Sequence, residues 1–184
     1  MSCRLCGNTK ATGEKMNVGK KFEAQFKKSV PDNIFYCRYK DGTANFSGQK
    51  NENVRFQAKN ICDIELYLKP LNFKLELKHH HGTSLPFSAI RENQLKELCK
   101  ASCFDGIIAG FVVYFSDKEK CFFANASKVV QFKQTTERKS IPISWFEENG
   151  IKIEVIKKKV NCLYGVKEFV ENMIHIDFDN EKTN

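Results

Sequence analysis

The chain has 184 residues, a length that predicts one domain with a core large enough to need no disulfide or metal staple. Hydrophobic residues are 41% and charged residues 28%, an ordinary globular mixture that excludes a largely disordered chain and a coiled coil. The balance of 30 Lys+Arg against 22 Asp+Glu gives a net charge of +8, which suits a polyanionic partner, most commonly nucleic acid.

Residues 1–16 are polar and read as a flexible lead-in. The opening MSCRLCGNTK lacks an apolar h-region, so a secretory signal is not expected. No apolar run approaches the ~18 residues of a membrane span, and a cytoplasmic protein is expected. A single domain is expected over residues 17–176. Its first helix runs from Asn17, a capping residue, to Ser29, with Val18, Phe22 and Phe26 on one face and Pro31 ending it. Ile34 to Tyr39 alternates like a strand. Residues 40–60 are polar and contain Gly42 and Gly48, which predicts a protruding loop or lobe.

Ile61 to Leu68 and Phe73 to Lys78 read as two strands around a turn that contains Pro70 and Asn72. Ser88 is placed to cap a helix reaching about Ser102, with Ile90, Leu95 and Leu98 inward. Ile107 to Phe115 is a continuous apolar run and predicts a buried central strand. A further strand is expected over Lys120–Asn125, a short helix near Ser127–Phe132, an edge strand over Ile151–Ile156 and a helix over Val166–Met173. Residues 177–184 read as a frayed acidic tail. The order predicts an α/β fold: a mixed β-sheet with helices on both faces.

Eight cysteines do not form a disulfide framework here. Cys37, Cys62, Cys99, Cys103, Cys121 and Cys162 are scattered among apolar and aromatic neighbours and are expected reduced and packed. Cys3 and Cys6 form one CxxC; a structural zinc site needs a second pair at suitable spacing, so zinc is not expected there.

The chemistry is concentrated between Asp63 and Lys78. Residues two apart in a strand share a face. Asp63, Glu65 and Tyr67 therefore share one face of the first strand, and Lys74, Glu76 and Lys78 share one face of the second. Closing the hairpin with Leu68 opposite Phe73 puts Asp63 opposite Lys78 and Glu65 opposite Glu76, with paired Cβ atoms about 5 Å apart. Two carboxylates within reach of one cation suit Mg²⁺, and Mn²⁺ is tolerated by the same oxygen set. A lysine beside them can balance charge on a phosphate. The constellation of Asp63, Glu76 and Lys78 thus fits metal-assisted phosphodiester hydrolysis. The same alternation also describes a solvated face with cross-strand ion pairs, but here it lies in strongly apolar strands, where a charge must be paired or metal-bound.

These residues and their order resemble the PD-(D/E)xK nuclease superfamily, and within it the RecU-type Holliday-junction resolvases, phage members included. The resemblance spans roughly residues 17–125. It is carried by Gly19–Glu23 (GKKFE), Asp63 in ICDIELYL, Glu76-Leu77-Lys78, Thr83–Phe87 (TSLPF) and Gln94 in IRENQLKEL. The interval from Asp63 to Glu76 also matches that family.

The resemblance implies a restriction-endonuclease-like fold. Asp63 and Glu76 would be metal ligands, Gln94 part of the metal shell, and Lys78 the transition-state stabiliser. Glu23 is a further carboxylate of the kind some related resolvases bring to the metal. Where the family often has a metal-binding Thr, this chain has Ile61, so only a backbone carbonyl is available there. The 40–60 segment corresponds to a protrusion that enters the junction centre.

DNA contacts are expected from Arg38, Lys40, Arg55, Lys59, Lys69 and Lys74, and from His79 and His80 beside the site, with Tyr39, Phe46 and Phe56 available to stack. The Lys157-Lys158-Lys159 run reads as a solvated face or a further phosphate contact. Two equivalent strands of a four-way junction call for a C2 homodimer, each protomer nicking one strand. The alternatives are a restriction-like or repair nuclease on duplex or flapped DNA, and a non-catalytic nucleic-acid-binding module.

Overall fold

The structure is a computed structural model; it describes residues 17–39 and 60–181, the last five by their backbone alone. The lead-in with Cys3 and Cys6, and Lys40, Phe46, Arg55, Phe56 and Lys59 of the expected protrusion, lie outside the described residues.

Helix α1 (Val18–Lys28) starts where the Asn17 side chain accepts the Gly19 N–H at 3.0 Å. Lys27 and Lys28 sit in its last turn, where positive charge opposes the negative end of the helix dipole. Phe22 and Phe26 are buried, whereas Val18 on the same face remains 52% exposed.

The central sheet has six strands in the order β1-β2-β3-β5-β6-β8. They are β1 (Phe35–Arg38), β2 (Ile64–Leu68), β3 (Leu71–His80), β5 (Ile107–Phe115), β6 (Lys120–Asn125) and β8 (Ile151–Ile153). The β3–β5 pair is parallel and the others antiparallel, so the expected mixed sheet is present. A parallel pair needs a crossover. Between β3 and β5 the chain passes through β4 (Ser84–Pro86), a 3₁₀ turn and helix α2 (Glu92–Ala101).

Helices cover both faces. On one, α1 and α5 (Val166–Glu181) pack Phe22, Phe26, Phe169 and Val170 against Phe73, Leu75 and Val112. On the other, α2, α3 (Ala126–Thr135) and α4 (Ile143–Asn149) pack Leu95, Leu98, Val129 and Phe146 around Phe111, Val113, Phe115 and Phe122. Each such side chain contributes roughly 1.5–3 kcal/mol by leaving water. Gly110 is required on β5: a Cβ there would meet the Ala124 carbonyl oxygen at 2.1 Å, where β6 turns into α3.

Several expected boundaries move. Ser88 caps nothing; it lies in the 3₁₀ turn Phe87–Ala89, and α2 begins after Arg91, which makes no side-chain cap. The Ile151–Ile156 run divides into β8, which joins the sheet, and β9 (Val155–Lys157), which pairs with β10 (Cys162–Tyr164) in a separate ribbon. Gly165 N–H bonds the carbonyl of Glu154, between the two strands, at 2.9 Å. The β4–β7 ribbon, with β7 at Ser140–Pro142, and helix α4 give structure to a stretch without clear periodicity. Helix α5 continues to Glu181, well beyond Met173 and into the acidic end.

The described cysteines are free thiols. Cys62 and Cys121 are fully packed, and burial pushes the Cys62 thiol up to about 12.

Candidate active site

Strands β2 and β3 are joined by Lys69 and Pro70 alone, so Leu68 pairs with Leu71 and Ile64 with Leu75. The sequence predicts Leu68 opposite Phe73; the shorter turn prevails because Leu71 is itself fully buried and belongs to the strand. The slip is of two residues, which preserves the alternation within β2 and β3: their side chains keep their predicted faces while their partners change, whereas Cys62, before β2, packs on the opposite side from Ile64 and Leu66. Glu65 thereby faces Lys74 rather than Glu76. Asp63 precedes β2, and its N–H donates to the Leu75 carbonyl at 3.2 Å, which sets it beside Glu76 rather than opposite Lys78.

Beyond the end of β2, the Leu77 N–H on β3 has no strand to pair with. The Asp63 carboxylate takes that place, accepting the Leu77 N–H at 2.8 Å. Glu76 is 3% exposed. Its Oε1 lies 2.8 Å from Lys78 Nζ, and its Oε2 accepts Gln94 Nε2 at 2.9 Å. Burial first, and the Glu76 charge second, push the Asp63 carboxyl up to about 7. Two carboxylates have therefore been brought together where neither water nor lysine fully offsets their charge.

Gln94 reaches Glu76 because α2 lies across this face, with Leu95 and Leu98 holding it down. Its Oε1 is buried and has no hydrogen-bond partner among the described residues. An orphaned amide oxygen beside two carboxylates is an oxygen donor set that suits a hard divalent cation. Among the described residues no group of three His, Cys, Asp or Glu side chains converges, so the set here is two carboxylates and one amide.

A second polar cluster adjoins the first and was not foreseen as a unit. Glu65 accepts from the Tyr39 hydroxyl and from Asn72 Nδ2 at 2.6 Å, and Lys74 Nζ lies 3.5 Å away. Burial opposes ionisation of Glu65, but these bonds and the Lys74 charge outweigh it and hold the carboxyl below its ordinary range. The strand alternation places Glu65 and Lys74 on this face; Tyr39 joins only through the pairing of β1 with β2.

The other candidates divide. Glu23 is paired with Arg38 at 2.6 Å, so each of these residues has the other as its partner. Ile61 is half-buried beside Cys62. His80 follows Lys78 on the same face and meets the Phe115 ring edge-on at 6.1 Å. His79 points to the opposite face, against Tyr114 at 5.6 Å. Burial, then His81 and His80, hold its imidazole below its ordinary range. Lys69 is exposed in the turn.

An aspartate just before one strand and a Glu-x-Lys on the next, in a mixed sheet, is the PD-(D/E)xK arrangement. The chain belongs to the RecU family, described as Recombination protein U, whose pattern matches residues 18–168. A relative is the SPbeta prophage-derived uncharacterized protein YotM of Bacillus subtilis, 31% identical over 182 residues, covering 90% of this chain and 91% of that one. The Holliday junction resolvase RecU of Ureaplasma parvum is 29% identical over 119 residues, 59% of this chain and 68% of the relative. Among solved structures, the Holliday junction resolvase Hjc of Archaeoglobus fulgidus aligns with a TM-score of 0.44 at 14% identity, covering 72% of this chain and 91% of that one.

Proposed function

We propose that this chain is a Mg²⁺-dependent endodeoxyribonuclease that resolves Holliday junctions by paired symmetric nicks, acting as a homodimer in recombination and repair in the cytoplasm. The observation that carries the reading is half-buried Asp63 beside buried Glu76, with Lys78 and the Gln94 oxygen, unpartnered among the described residues, next to them, in a chain of the RecU family.

Asp63, Glu76 and the Gln94 oxygen would hold the cation, with Mn²⁺ able to substitute. When bound there, Mg²⁺ supplies positive charge that polarises a phosphodiester and acidifies water. The protein's own groups do the positioning. The Leu77 N–H fixes the Asp63 carboxylate, and the Gln94 amide group orients Glu76. The Lys78 ammonium, 2.8 Å from Glu76, is placed to offset negative charge that grows on the phosphate as its bond to the leaving oxygen breaks. Lys74 and His80 flank Lys78 on the same face and are placed for phosphate contact, as are Arg38 and Lys69 along the adjoining edge. Lys40, Arg55 and Lys59 are further candidates for phosphate contact from the sequence alone. The dimer reading rests on the substrate's symmetry: two equivalent strands need two sites.

The test uses a labelled four-way junction and a matched linear duplex, with Mg²⁺ or EDTA, for the wild type and Asp63→Ala. Paired nicks in the junction alone, lost with EDTA and in the variant, are expected. Equal cutting of duplex would make it a general nuclease. Retained binding without cutting of either substrate would make it a non-catalytic DNA-binding module.

A further inference from the structure

Lys78 and His79 are neighbours in sequence and point to opposite faces of the sheet, and behind His79 lies a second site. A cleft of about 430 Å³ opens there between α1, the ends of β3 and β5, and the turn that joins β9 to β10. Its volume falls in the range of small-molecule sites.

The floor is aromatic. Phe22 and Tyr114 stack at 5.7 Å, and His79 meets Tyr114 edge-on. The lips are apolar and face water: Val18 is 52% exposed and Val160 79%, on opposite sides of the opening. The rim is cationic. Lys21, Lys158 and Lys159 line it, and none forms an ion pair among the described residues; Lys157 is held by Glu119. One polar side chain lies deep in the wall. Gln25 is 8% exposed, and no hydrogen bond to its side-chain amide is found among the described residues. The amide reaches the solvent of the cleft, where the edge of a ligand can replace water.

A flat apolar body, an anionic group and a hydrogen-bonding edge with both donors and acceptors describe the ligand. We infer that this cleft binds a nucleoside phosphate, namely an unpaired nucleotide of a DNA strand, on the face of the sheet opposite Asp63 and Glu76. The base lies against Val18, Val160 and the aromatic floor, its edge meets the Gln25 amide, and the phosphate meets Lys21, Lys158 and Lys159. The inference depends on the proposed nuclease reading only in taking the strand to be DNA. It gives the Lys157–Lys159 run a role that a merely solvated face lacks.

The experiment uses the full chain in EDTA, so that no metal draws phosphate to the carboxylates. A short thymidine oligonucleotide carrying 5-iododeoxyuridine is crosslinked and the modified peptides are mapped. Crosslinks are expected at Phe22, His79 or Tyr114. Reversing two charges at the rim, Lys158→Glu with Lys159→Glu, should weaken oligonucleotide binding about tenfold. The matched reversal Lys27→Glu with Lys28→Glu, outside the cleft on α1, should weaken it far less. Gln25→Leu should weaken oligonucleotide binding with the melting temperature little changed, a combination that a purely structural glutamine does not give.

Crosslinks confined to the peptides around Lys74 and Lys78, or equal losses from the two charge reversals, would overturn the inference. Free thymidine monophosphate competes only weakly if the ligand is a strand. Tight binding of the free nucleotide, without binding of the oligonucleotide, would overturn the assignment to DNA. Wild-type junction cutting with Mg²⁺ is measured in parallel. Cleft crosslinks without cutting would sink the nuclease reading and leave this one standing.

Discussion

The two faces of β3 are made by one ten-residue strand and do opposite things. One face carries Leu71, Phe73, Leu75 and Leu77, all buried against α1 and α5. The other carries Asn72, Lys74, Glu76 and Lys78, although its neighbour β5 presents Ala109, Phe111 and Val113 on that same side. From Leu71 to Leu77 the first face supplies stability and carries only apolar side chains. The second interrupts an apolar layer with charge that its own cross-strand partners only partly offset. A charged strip inside a hydrophobic layer is costly unless a ligand or partner completes it. The contrast therefore separates the groups that build the core from those proposed to hold the cation and the phosphate.

Four experiments test that separation. The largest effect is expected on the polar face. Glu76→Gln keeps the shape of the side chain and should lower junction cutting on the order of 100- to 1,000-fold, with the fold retained by circular dichroism. Unchanged cutting would return Glu76 to a structural role. On the apolar face, Leu75→Ala should cost about 2–5 kcal/mol by denaturant titration. A loss below 1 kcal/mol would mean that the face is loosely packed.

The third experiment is a pH series. The Asp63 carboxyl is pushed up to about 7 by burial and by Glu76, so the folded chain holds a proton that the unfolded chain has already released. Its contribution to stability is therefore full below the ordinary carboxylate range and is lost as pH rises through about 7. Thermal melts should show this fall, Asp63→Asn should flatten it, and Mg²⁺ should raise the melting temperature more at pH 8 than at pH 5. An equal Mg²⁺ effect at both pH values would place the cation elsewhere. The smallest effect concerns neither face directly. Asn17→Ala removes the cap on α1 and should cost about 1 kcal/mol without touching the chemistry.

Much of this was legible in the residues. Alternation in ICDIELYL and FKLELK put Asp63, Glu65, Lys74, Glu76 and Lys78 on one face, and the structure keeps them there. The pairing was not legible. Whether the hairpin turns over two residues or four depends on whether Leu71 finds a core to enter, and that core is built by α5 and β8, far along the chain. Helix α4 and the β4–β7 ribbon escaped for a related reason: their short segments carry little periodicity and are held by contacts with other elements. Ser88 looked like a cap because serine favours that position, but Ile90 is drawn into the core first and α2 begins only after Arg91.

Gln94 had no local signal at all. On an amphipathic helix it is one more polar residue, and only the family resemblance pointed to it. Its buried oxygen is set by the packing of α2 across the sheet. The sequence by itself determined the longer elements and the face of the charged residues of the hairpin, because both follow from periodicities that extend only a few residues along the chain. The tertiary structure alone decided which carboxylate meets which partner, and that a second cleft opens behind His79. Those outcomes depend on elements distant in sequence, whose packing fixes distances that no local pattern records.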